Sequence, residues 1–113
     1  MRASVPQELE PRVTFAHVFF DAAFHGREHA RALAEYEGFA LNRERAAFAD
    51  AERRGDTFAG GAHVVAHGPE IVASRFGPDM ARRVFELAPD PGAWHGPFAS
   101  PEGFHLVMVT GRE

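Results

Sequence analysis

Seven histidines occur in 113 residues, and two pairs of them stand at an interval suited to metal binding. His25-Gly-Arg-Glu-His29 has the His-x-x-Glu-His order, and His63-Val-Val-Ala-His67 repeats the interval. Residues four apart share a face of a helix, which lets two imidazoles grip one zinc ion. Gly26 weakens a helix at the first pair, and Val64 and Val65 favour a strand at the second. The expected states are therefore solvent-facing histidines at a helix start and partly exposed strand histidines. The chain has no Cys, which excludes disulfides, thiolate catalysis and Cys-type zinc sites.

His17 and His105 differ from these, because each falls mid-strand among apolar neighbours. A buried neutral imidazole costs free energy unless both nitrogens are accounted for. Two such residues on adjacent strands are expected to bond to each other. No Gly-rich phosphate loop, Gly-x-Ser-x-Gly elbow or carboxylate dyad accompanies them.

The elements that must position these side chains follow from periodicity. Val13 to Phe20 is β-branched and aromatic, with Val13, Phe15, His17 and Phe19 on one face and Thr14, Ala16, Val18 and Phe20 on the other. Both faces are apolar, which predicts a central strand. A turn follows over Asp21 to Gly26, and then a helix from Arg27 to Glu37 with Ala30, Leu33, Ala34 and Tyr36 inward. Gly38 reads as an interruption, and Asn42 as the N-cap of a second helix that carries Phe48 and ends at Arg53, Arg54 and Gly55. The glycine-interrupted stretch from Asp56 holds a short strand, Ala62 to His67. Pro69 opens a short turn through Ile71 and Phe76. Pro78 opens a helix whose Met80, Val84, Leu87 and Ala88 share a face, stopped by Pro89 and Pro91. Gly96 to Ser100 and Phe104 to Thr110 read as a hairpin about Pro101, Glu102 and Gly103. The order predicts one α+β domain over residues 13–113, a small, mainly antiparallel four-stranded sheet flanked by helices, preceded by a polar arm over residues 1–12.

With 45% hydrophobic residues, including eleven Phe, the chain can bury a real core. Its net charge is −4, and its twelve basic residues, all Arg, form no dense cluster, so nucleic acid is not an expected partner. No apolar run reaches the ~20 residues that a membrane-spanning helix needs, and the opening residues lack the apolar middle of a signal peptide.

The C-terminal half resembles the parvulin (PpiC-like) class of peptidyl-prolyl cis-trans isomerases. The residues that carry the likeness are Phe76, Met80, Val84-Phe85-Glu86-Leu87, then Gly92-Ala-Trp94-His-Gly96-Pro97, and Ser100-Pro-Glu-Gly103-Phe104-His105-Leu106-Val107. Ala16-His17-Val18-Phe19 is similar to the family's opening strand. The resemblance implies that His17 and His105 are the paired histidines beneath the active site. It places Phe76 and Met80 in the apolar pocket for the substrate proline, Ser100 at its rim and Phe85 in the adjoining core. Asp56 takes the acidic or thiol position facing the imide bond. It implies no cofactor and no metal.

The expected function is therefore isomerisation of Xaa-Pro bonds in extended or unfolded chains, assisting protein folding, without phosphate selectivity because no basic cluster follows the first strand. The resemblance also points to an exported or membrane-anchored parent in the cell envelope or periplasm. Met80 stands where the family has an aromatic residue, and only Gly55-Asp56 and Gly60-Gly61 are left of its central glycine motif. The weakened central motif motivates a second expectation, a catalytically weak or inactive module that captures peptides as a chaperone does. A zinc-dependent enzyme is third.

Overall fold

The computed structural model describes residues 11–113, so all but the last two residues of the expected arm lie outside it. The chain runs β1 (Val13–Asp21), α1 (Ala22–His25), α2 (Arg27–Glu44), α3 (Phe48–Ala51), a 3₁₀ turn (Glu52–Arg54), β2 (His63–His67), α4 (Pro69–Phe76), α5 (Pro78–Phe85), β3 (His95–Ala99) and β4 (Gly103–Arg112). The strands form one antiparallel sheet in the order β2-β1-β4-β3, so the domain is α+β with a four-stranded antiparallel sheet.

The two central strands, β1 and β4, bury both of their faces. On one face, Ala16, Val18 and Phe20 join Leu106 and Met108 against Ala30, Ala34 and Leu41 of α2. On the other, Phe15, Val107 and Val109 pack against Val72 and Phe76 of α4 and Met80 and Val84 of α5. This double burial is why β1 shows no polar alternation. Among the described residues no helix is long and apolar enough to cross a membrane.

Several local signals mean something else in the tertiary structure. Helix α2 runs unbroken through Gly38 and Asn42. Gly38 is buried where α2 crosses β4, and a Cβ there would lie 2.9 Å from Leu106 Cδ2, so this glycine permits close approach and does not stop the helix. Asn42 caps nothing: its Oδ1 accepts from the Trp94 amide and its Nδ2 donates to the Trp94 carbonyl, both at 2.8 Å. The helix ends at Arg45, in the left-handed region at φ 53°. The expected second helix accordingly shrinks to α3 and the 3₁₀ turn, and Tyr36, expected inward, is 70% exposed. Pro69 opens a helix of 8 residues where a short turn was expected. Helix α5 ends at Phe85, before Leu87 and Ala88, because the chain tightens to bonds from Glu86 N to Arg83 O (3.2 Å) and Leu87 N to Val84 O (3.1 Å). The predicted hairpin is present, closed by Ser100 N to Gly103 O at 2.8 Å.

Candidate functional site

Register brings the two strand histidines together. His17 stands opposite Val107 and Phe19 opposite His105, so the histidines are diagonal neighbours on one face of the β1–β4 pair. Their Nδ1 atoms are 3.0 Å apart. His17 Nε2 lies 2.9 Å from the Gly61 carbonyl, and His105 Nε2 lies 2.7 Å from Ser100 Oγ. A carbonyl oxygen only accepts, so the neutral His17 carries its proton on Nε2 and offers a lone pair at Nδ1. His105 must then donate from Nδ1 and accept at Nε2. The chain of hydrogen bonds runs in one direction: Ser100 O–H to His105, His105 to His17, His17 to Gly61.

This network is neutral for a physical reason. Both imidazoles are essentially inaccessible to water. Burial pushes His105 down to about 2, aided by the neighbouring His17. Burial likewise pushes His17 down to about 4, opposed by the bond to Gly61 and aided by Arg75 and His63. Ser100 and His105 have the separation of a nucleophile and its base. Taking the serine proton, however, would create a buried imidazolium whose other nitrogen faces a second histidine and no carboxylate, so the pair is built as a fixed network and not as a base.

Rings enclose it. Phe76 meets His17 and His105 edge to face at 5.0 and 5.3 Å, and Phe19 lies 5.0 Å from His105. Phe58 meets the same two histidines edge to face at 5.1 and 5.3 Å and stacks on Phe76. Sequence reasoning passed over Phe58. The available signal was a lone large apolar residue in a glycine-rich loop, without the periodic partners that mark a helix or strand.

Asp56 arrives by a separate route. Gly55 lies so close to β1 that a Cβ would be 2.6 Å from the Phe19 carbonyl, and this lets Asp56 N donate to Phe19 O at 2.6 Å. Asp56 Oδ2 then accepts from the Asp21 amide at 2.8 Å and from His25 Nε2 at 2.9 Å. Asp56 makes no bond to the histidine pair, but with His17 and Phe58 it lines a cavity of about 280 Å³. Phe76 and Met80 form the floor of a second cavity, of about 250 Å³, with Ser100 and Arg27 among its walls. Phe85 lines neither of these cavities and packs from behind against the core around Val84 and Phe98. The structure thus brings His17 and Asp56 to one cavity and Phe76, Met80 and Ser100 to the other, with His105 bonded between His17 and Ser100 and lining neither, and keeps Phe85 away from both cavities.

The spaced histidine pairs have other surroundings. Gly26 separates α1 from α2, leaving the His25 and His29 rings stacked 5.8 Å apart with His25 bound to Asp56. His63 packs on Phe48 at 4.2 Å. Among the described residues no group of three His, Asp or Glu side chains is placed to hold a metal ion.

No protein-family model matches the chain, and no curated protein matches it significantly.

Proposed function

We propose that this domain is a peptidyl-prolyl cis-trans isomerase of the parvulin type, acting on Xaa-Pro bonds of extended or unfolded chains without phosphate selectivity. The observation that carries the reading is the neutral relay Ser100–His105–His17–Gly61 set beside an apolar floor of Phe76 and Met80. Rotation about an imide bond faces a barrier of roughly 18–20 kcal/mol but moves no proton and forms no covalent intermediate. A network unable to act as acid or base suits that task.

The planar imide carries resonance charge on its carbonyl oxygen, and twisting withdraws it. An apolar cavity, and a carboxylate such as Asp56 near that oxygen, therefore disfavour the planar ground states more than the twisted state. Phe76 and Met80 would receive the proline ring. Ser100 and the histidine pair would hold the floor in one conformation. The partners are proline-containing polypeptides, and the same resemblance favours a larger exported or membrane-anchored parent.

Exchange spectroscopy by NMR on Ala-Xaa-Pro-Phe peptides tests this directly. The wild-type domain should accelerate cis-trans exchange. Asp56→Ala should reduce kcat/KM roughly tenfold, the equivalent of one polar interaction of about 1.4 kcal/mol. Unaccelerated exchange with the folded wild type would sink the reading. Peptide line broadening without acceleration would favour the second reading, a peptide-capturing module.

A further inference from the structure

The two cavities on the histidine face share no lining residue, although their walls meet at one pair of rings. Phe58 belongs to the first cavity and Phe76 to the second, and their rings stack with centroids 5.3 Å apart and planes 13° apart. The Phe58 ring is the partition. It covers the face of Phe76 and touches both histidines, which is the place a proline ring must take to lie over the relay.

The segment bearing Phe58 is anchored on both sides of that ring, and between the anchors only two carbonyls are tied, Phe58 O by Gly61 N at 2.9 Å and Gly60 O by the Arg75 guanidinium. Upstream, Asp56 is tied to Phe19 and Asp21; downstream, Gly61 and Ala62 are tied to His17. Thr57, Ala59 and Gly60 are exposed, and Gly61 takes a positive φ of 87°. The ring itself is held by apolar packing and by aromatic contacts, the latter each worth about 0.5–1.5 kcal/mol, and makes no hydrogen bond. An entering apolar side chain can replace such contacts, whereas it cannot replace the backbone bonds at the two anchors.

We infer that Phe58 is the access-controlling residue of this site: its ring occupies the substrate's place on Phe76, and its displacement joins the two cavities into one groove that reaches from Asp56 to Ser100. The inference rests on the isomerase reading. Each binding event then spends part of its free energy moving the ring, so the apparent affinity is lowered by the fraction of molecules already open. Truncating the ring removes that penalty and leaves the histidine relay and Asp56 in place.

The test compares wild type, Phe58→Leu and Phe58→Ala on one Ala-Leu-Pro-Phe peptide, measuring KM and kcat from exchange spectroscopy and binding from peptide line broadening, with urea unfolding to establish that each protein is folded. The expected result is a KM lowered about fivefold or more in Phe58→Ala, an intermediate value in Phe58→Leu, and a smaller change in kcat. An unchanged KM overturns the gate, and a raised KM overturns it by making Phe58 a wall that grips proline. Tighter peptide binding by the variants without acceleration by any protein supports the gate and overturns the isomerase reading. Neither binding nor acceleration overturns both.

Discussion

On one face of the sheet a single helix of 18 residues lies so close to β4 that Gly38 has no room for a side chain beside Leu106. On the other face, two helices of 8 residues each and a glycine-rich loop cover the strands, and between them lie two buried histidines and two cavities. The α2 face is apolar throughout its core. The histidine face accepts groups that burial penalises and relieves the penalty with a directed chain of hydrogen bonds. Close packing of one face leaves the other free to hold a polar network and incomplete filling, a division found where a rigid scaffold supports a site.

Acid should separate the faces most strongly. A histidine whose folded value lies below its unfolded value of about 6.5 binds its proton more readily unfolded, so its stabilising effect is complete above 6.5 and is lost as pH falls toward the folded value. For His17 that window runs from about 6.5 to about 4, and for His105 it extends down to about 2. Each group contributes about 1.4 kcal/mol per pH unit within its window, so urea unfolding should lose roughly 2–4 kcal/mol between pH 7 and pH 5. A His17→Leu, His105→Leu double variant that remained equally acid-sensitive would break the comparison.

The α2 face should respond to volume and not to pH. Gly38→Leu must push against Leu106 in a core without slack, and should cost about 1–3 kcal/mol at every pH, measured by the same unfolding curves. A neutral outcome would mean that α2 can lift from the sheet. The smallest effect belongs to the edge of the histidine face. Ala66 sits in the left-handed region at φ 53°, at the bulge where β2 loses register with β1. Ala66→Gly should therefore raise stability by about 0.5–1 kcal/mol, and a loss of stability would show that the bulge is not strained.

Much of the fold was legible because its signals are local. The period-2 pattern of Val13 to Phe20, apolar on both faces, placed β1 at the centre, and the Pro101-Glu102-Gly103 turn placed the hairpin. The histidines at positions 17 and 105 stood out as polar residues inside those strands. What was misread had a partner far along the chain. Gly38 looked like a helix stop because Leu106 is remote in sequence. Asn42 looked like a cap because its bonds go to Trp94. Phe58 carried no periodicity, since its role depends on meeting Phe76 and two histidines from other elements.

By itself, then, the sequence determined where the strands lie, that one α+β domain with a four-stranded antiparallel sheet results, and that two histidines fall inside its central strands, because side-chain periodicity follows from neighbours within a few residues. Only the tertiary structure decided that the histidines bond to each other through Nδ1, that Gly61 sets their tautomers, that Asp56 turns to His25, and that the Phe58 ring stacks on Phe76. Those facts are distances between residues 31 to 88 positions apart or contacts across loops, and strand register and packing, not local propensity, set them.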